Sequence, residues 1–362
     1  MIINPNHIPD LGINFNRLMQ ADNNWYSIDN HSEYCAQNDV FFVSLRHEDA
    51  MDSVINHING DVLNHIRMGK VLLGIDFYKE SRAKIIDNLY KFCDRNDIDT
   101  DHVLLIGASP DLKNLVTKPI KLETYHCWER RTKTLVKVEN VRGIDPLRNT
   151  KHKKTYINLN HIFRAHRAYI MQRLIDTGLQ EYGYNSFHNA PETEELEFYS
   201  KRYPNLQIPP SLYIDYRDDR AKISGDHTRA DITKRMHTLK PHVQNTILYL
   251  IGETLFYNEP RFLTEKTFKA IAYKLPFIMI GQPFNLEHLR SLGYKTFDGI
   301  IDESYDTITD HNTRLDKILS EIERICSFNE QQKKSFCDSC LDIVDYNYNL
   351  LVNKTHYTKT IL

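Results

Sequence analysis

The sequence predicts an α/β chain of two lobes, each built on a mostly parallel sheet, ending in a helical C-terminal segment. Three observations predict it. Short apolar runs alternate with helical patterns in both halves, a polar and basic stretch separates the halves, and 362 residues suit two ordinary domains. Two such lobes in one chain also predict a cleft between them, where ligands of this class usually sit.

In the first half, Val40–Leu45, Lys70–Asp76 and His102–Gly107 read as buried strands. Between the last two, Ser81–Asn96 carries Ile85, Leu89 and Phe92 at helical spacing behind a serine able to cap it. Strand, helix, strand in that order predicts a right-handed βαβ unit and a parallel sheet. The stretch Glu129–Lys154 reads as the connection, with lobes at 1–150 and 151–362. A strand then opens at Thr155–Asn160, followed by a helix at Ala165–Thr177 that Gly178 can stop. Asn245–Ile251 and Pro276–Gly281 read as buried strands, with a helix at Glu265–Ala272 between them. Asn285–Leu292 predicts a short helix ending at Gly293, and a short strand is expected near Thr296–Phe297. Helical patterns fill 314–351.

Composition excludes several classes. Apolar residues at 41% and charged residues at 26% are a globular balance, and a formal net charge of -2 gives no global pull toward nucleic acid or an anionic membrane. No apolar run is long enough to span a bilayer, and the first residues lack the pattern of a signal peptide. The six cysteines then read as reduced thiols of a cytoplasmic protein, in the host cytoplasm if the source is viral. Cys337 and Cys340 form one CxxC, more simply read as helix packing than as a redox or metal pair. Abundant Asn, Lys, Ile and Tyr fit an AT-rich genome of the kind many phages have.

Two constellations can carry chemistry. The first, Asn158–Arg167, places Asn160, Arg164, His166 and Arg167 where a strand passes into a helix. Free N–H groups and the helix dipole favour an anion there, and arginines three apart can share a face and grip a diphosphate. A solvated basic helix start is the plainer reading. The second is Glu253 with Thr254 at a strand end, followed by Thr264, Glu265, Lys266 and Thr267. A strand-end carboxylate can accept from sugar or ribose hydroxyls, and Lys266 can neutralise a phosphate. A well-capped amphipathic helix explains Thr264 and Glu265 without a ligand. Asp215, Asp218 and Asp219 lack the spacing of a DxD metal site, no HExxH occurs among the 17 histidines, and the P-loop, GxSxG and GxGxxG patterns are absent.

The stretch FLTEKTFKAIAYKLPFIMIG resembles the TEK-containing donor-binding segment of α-1,3-fucosyltransferase-like enzymes and of related glycosyltransferases of phages and marine viruses. Thr264, Glu265, Lys266, Pro276 and Gly281 match, and YINLNHIFRAHR resembles the strand–helix opening of the same lobe. The resemblance covers about residues 155–310. It implies the two-lobed GT-B fold, a UDP- or GDP-sugar donor and no obligatory metal. Arg164 and Arg167 would meet the donor phosphates, and Glu253, Glu265 and Lys266 the nucleoside or sugar, with Asn160, His166, Thr254, Thr264 and Thr267 around them.

An acceptor hydroxyl needs a base. Asp76, at the end of KVLLGID, is the first candidate, and Glu48 and His47 are rivals. The acceptor itself stays open. The stretch from Arg130 and Arg131 to Lys151, Lys153 and Lys154 carries nine Lys/Arg against Glu139 and Asp145, a face able to track the phosphates of double-stranded DNA with hydroxymethylated bases. A solvated linker is the plainer account, and a surface glycan or lipid-linked sugar is an equal acceptor. A non-catalytic nucleic-acid-binding protein, or a degenerate transferase lobe that only binds, are the alternatives in function.

Overall fold

Continuous apolar runs need burial on both faces, and the chain provides it by building two mostly parallel sheets with helices between the strands in sequence. The computed structural model describes residues 40–44, 58, 60–76, 84–126, 128–129, 132–133, 136, 143–212, 239–257, 259–354 and 358–360. Two units result: Met1–Cys127 with Glu259–Arg261 and His356–Leu362, and Trp128–Asn258 with Phe262–Thr355.

In the first unit β1 (Val40–Ser44), β2 (Leu72–Asp76), β3 (Val103–Gly107) and β4 (Lys121–Tyr125) lie side by side in chain order, all parallel. Helices α1 (Gly60–Arg67), α2 (Lys84–Asn96) and the single turn α3 (Leu112–Leu115) lie between them in sequence. Ile86, Leu89, Phe92 and Cys93 form the buried stripe of α2, against Leu73, Ile75, Val103 and Leu105 of the sheet. The unit's helix–strand reading of the sequence holds within a few residues. The serine expected to cap α2 lies outside the described residues.

The second unit runs β5 (Tyr156–Asn160), α4 (Ala165–Asp176), β6 (Gly183–Phe187), α5 (Thr193–Arg202), β7 (Leu248–Gly252), α6 (Glu265–Ala272), β8 (Phe277–Ile280), α7 (Asn285–Ser291), α8 (His311–Cys326) and α9 (Glu330–Asn353). Its strands are parallel in the order β6-β5-β7-β8. The chain moves outward from β5 to β6, then returns to the other side of β5 to place β7. The order therefore reverses between β5 and β7, and in open parallel sheets ligands bind beyond the carboxyl ends of the strands at such a reversal. Gly178, at φ 72, ends α4 as expected. A last strand, β9 (Thr358–Thr360), pairs antiparallel with β4 at the edge of the first sheet.

The structure departs from the sequence reading at several points. The division falls at Cys127/Trp128 rather than near residue 150. Val136, Ile144 and Leu147 of the basic stretch are buried in the second unit's core. Buried Glu129 pairs with Lys354 at 2.7 Å and accepts from the Tyr294 hydroxyl at 2.5 Å, joining the unit's first residues to its last. The strand expected at Thr296–Phe297 does not form, because the Glu303 carboxylate takes the Phe297 N–H at 2.6 Å. Cys337 and Cys340 are both buried in α9, and burial pushes the Cys337 thiol up to about 12, a packing role.

Candidate functional site

At the reversal point, Asn160 closes β5 and Gly252 closes β7. Glu253, the next residue, is wholly buried. Its Oε1 accepts from the Thr264 N–H at 3.1 Å and the Thr267 hydroxyl at 2.6 Å. Its Oε2 accepts from the Thr264 hydroxyl at 2.6 Å and the Thr254 N–H at 3.2 Å. The carboxylate expected to read ligand hydroxyls thus binds the end of β7 to the start of α6. Thr264 holds extended geometry at the N-cap of α6, with its hydroxyl 3.4 Å from the Lys266 N–H.

The other constellation meets the same residue from behind. His166 Nε2 lies 2.9 Å from the Glu253 carbonyl, and Arg167 Nη2 donates to that carbonyl at 2.8 Å. Arg167 Nη1 donates to the Ile162 carbonyl at 2.9 Å. The two segments singled out in the sequence therefore converge on one residue, its carbonyl on one side and its carboxylate on the other. Arg164 and Arg167 do not form the expected fork. Arg164 is the extended N-cap residue of α4 and pairs with Glu195 of α5 at 2.6 Å, while Arg167 turns into the core.

Lys266 is partly exposed and its ammonium reaches the hydroxyls of Thr254 and Thr264, each at 3.2 Å, and Glu265 at 3.0 Å. Burial alone would raise the Glu265 carboxyl, but Lys266 and Lys269 outweigh it and bring it down to about 2. Burial likewise lowers Arg167 to about 10 and holds His166 well below the usual imidazole range. Gly252 is required by close approach: a Cβ there would lie 2.4 Å from Asn160 Oδ1 and 3.3 Å from Arg167 Cγ. Asn160 Oδ1 and Arg167 Nε are buried without a hydrogen-bond partner.

These shifts set a pH dependence. In the unfolded chain His166 and His311 take a proton near pH 6.5, and burial opposes both in the folded unit. Their contribution to stability is full above that pH and falls as acid is added, by up to about 1.4 kcal/mol per pH unit for buried His166 and by less for His311, where solvent screens the effect. Glu265 acts in a lower window, its contribution present above 4.5 and lost only as the pH falls toward 2. Urea unfolding between pH 7 and 5 should show the histidine slope, and His166→Gln should make it shallower.

The remaining candidates are less concentrated. Asp76 ends β2, the strand between β1 and β3, in register with Ser44 and Ile106. Glu48, His47, Arg130 and Arg131 lie outside the described residues, as do Asp215, Asp218 and Asp219. Lys151 and Lys153 are exposed, whereas the Lys154 ammonium donates to the Glu181 carbonyl at 2.5 Å and Arg148 pairs with Asp145 and Asp345. Among the described residues no group of three or more His, Cys, Asp or Glu is placed to hold a metal, and no helix is long and apolar enough to cross a membrane.

Sequence reasoning missed Phe256 and Arg314. The Phe256 ring stacks on His166 with centroids 5.0 Å apart, and the Arg314 guanidinium lies 4.1 Å from the same ring. It also missed Gln282 and Asn285, in the turn after β8, because buried amides carry no spacing signal.

No protein-family model matches the chain, and no curated protein matches it. Among solved structures, it is similar to an α,α-trehalose-phosphate synthase (UDP-forming) from Burkholderia xenovorans in complex with glucose-6-phosphate, at 11% identity and a TM-score of 0.40, over 92% of this chain and 78% of that one. It is also similar to an E. coli structure described as trehalose-6-phosphate bound with UDP-2-fluoro glucose, at 11% identity and a TM-score of 0.40, over 93% and 76%. Likenesses this loose carry no argument. The α/β architecture stands on the strand orders themselves.

Proposed function

We propose that the chain is a metal-independent glycosyltransferase of the GT-B type, and that its second unit binds a nucleotide-sugar donor at the carboxyl ends of β5 and β7. The observation that carries this reading is the convergence of both sequence constellations on Glu253, beside the point where strand order reverses. Asn160, His166, Arg167, Glu253, Thr264 and Thr267 form a buried bed. Arg164, Thr254, Glu265 and Lys266, which keep some exposure, are left to meet the donor. Lys266 would neutralise the diphosphate as the glycosidic bond breaks, and Glu265, ionised at neutral pH, would accept from a hydroxyl of the sugar or ribose. Arg164 would exchange Glu195 for a phosphate. Asp76 is the proposed base for the acceptor hydroxyl.

The proposed acceptor is a hydroxymethylated base of DNA, with Arg130, Arg131, Lys151, Lys153 and Lys154 along its phosphates. A surface glycan is the competing acceptor.

Calorimetric titration with UDP- and GDP-sugars tests the donor, and transfer to hydroxymethylated DNA or to a glycan tests the acceptor. Lys266→Ala should weaken donor binding about tenfold, since a charged hydrogen-bond donor is lost, with the melting temperature nearly unchanged. Failure of every nucleotide sugar to bind the wild-type chain would remove the reading.

A further inference from the structure

We propose that the turn after β8 reads the nucleobase, with the carboxamides of Gln282 and Asn285 pairing with the imide edge of a uracil ring. The proposal rests on the donor-site reading above and names the base that site selects. Asn285 is 0% exposed, and neither its Oδ1 nor its Nδ2 has a hydrogen-bond partner. Gln282, 4% exposed, leaves its Nε2 equally unpaired. The two belong to one turn, closed by the Asn285 N–H to the Gln282 carbonyl at 3.4 Å. An unmade hydrogen bond at a buried amide costs about 1–3 kcal/mol, so two amides left unpaired in one turn are suited to a hydrogen-bonding partner.

The backbone of the turn is strained as well. Phe284 sits in the left-handed region at φ 63, which costs a non-glycine residue roughly 1–2 kcal/mol. Asp306 holds it there: its carbonyl accepts from the Phe284 N–H at 2.7 Å, and its carboxylate accepts from the N–H groups of Leu286 at 3.0 Å and Glu287 at 3.1 Å. The turn adjoins the reversal point. The Glu253 N–H donates to the Ile280 carbonyl at 3.0 Å, and a Cβ on Gly281 would lie 2.7 Å from Asn285 Nδ2 and 3.3 Å from Glu253 Cβ. Only glycine at 281 lets the amide come this close to the strand end.

The unpaired atoms define the ligand. They comprise two donors, Gln282 Nε2 and Asn285 Nδ2, and one acceptor, Asn285 Oδ1, none of them charged. A phosphate offers acceptors only and would face Asn285 Oδ1. Uracil presents acceptor, N–H donor and acceptor along one edge, which matches the set. Guanine presents two donors and one acceptor, and cytosine and adenine lack the N–H between acceptors.

The experiment titrates UDP, GDP, ADP and CDP into the full chain and into Asn285→Leu and Gln282→Leu, with melting temperatures measured alongside. UDP should bind the wild type at least about tenfold more tightly than the other three, and each variant should lose about tenfold for UDP with the others unmoved. Leucine shares the branched shape of asparagine but is larger, so Asn285→Leu should melt lower through overpacking, whereas Gln282→Leu, closer in volume, should melt no lower than wild type. A purely structural amide at Gln282 would instead lower the melting temperature and leave the preference intact. Equal binding of all four nucleotides by the wild type, or a preference for UDP retained in Gln282→Leu and in any folded Asn285→Leu, overturns the base assignment and leaves the donor site standing. Binding of none of the four removes the donor site and this inference with it.

Discussion

Glu253→Gln should destabilise the second unit by about 3 kcal/mol and abolish donor binding, although it changes one atom of a residue that no solvent reaches. The carboxylate accepts on both oxygens, and each oxygen faces one backbone N–H, that of Thr264 on one side and that of Thr254 on the other. A carboxamide has one acceptor oxygen. Whichever way it turns, its NH2 meets a backbone N–H that cannot rotate away, and the threonine hydroxyl on that side must change from donor to acceptor. Hydrogen bonds to a charged acceptor contribute about 1.5–3 kcal/mol each, so losing one and opposing another reaches the stated size. The consequence for binding follows from what the bonds join. The shared carboxylate ties the end of β7 to the start of α6 and so helps to hold Thr254 and Lys266 in mutual register. Hydrogen exchange across residues 253–267 should accelerate in the variant. Exchange and urea midpoint both unchanged would mean that the carboxylate does not hold the loop.

What could be read in advance follows the range of the interactions involved. The bounds of α6 were legible because an N-cap threonine, an acid in the first turn and apolar spacing all act within one or two turns. Strands β7 and β8 were legible because burial on both faces demands unbroken apolar runs. Strands β4 (KLETY), β6 (GYNSF) and β9 (TKT) were not, since their polar residues give no such run. The basic residues of 129–154 hid Val136, Ile144 and Leu147, which decide where the stretch packs. At the site the two segments that meet at Glu253 were legible, and the directions of their side chains were not. A strand-end glutamate looks the same in sequence whether it faces a ligand or two threonines eleven and fourteen positions on. The same holds for Arg167, whose spacing from Arg164 suggested a shared face until the cap geometry of Arg164 separated them.

Arg314→Met should cost about as much as the glutamate change, and it acts on the site without touching any ligand. Arg314 is 1% exposed, and burial lowers its guanidinium to about 10. Its Nη1 donates to the carbonyls of Ile308 at 2.8 Å and Thr309 at 3.3 Å, and its Nη2 to the Phe256 carbonyl at 3.0 Å. The same group packs over the Phe256 ring, whose stacking on His166 continues to the Glu253 carbonyl. Methionine fills much of the volume but donates nothing, so three carbonyls lose their partner and the cation–π contact disappears, together about 3 kcal/mol. Arg314→Lys keeps a charge but cannot span carbonyls from two segments with a planar fork, and should recover only part of the loss. The melting temperature should therefore fall in the order wild type, Lys, Met, and donor affinity should fall in the same order as the loop from Glu253 to Tyr257 loosens. A Met variant that melts with the wild type would show that the segment is fixed by Glu253 alone.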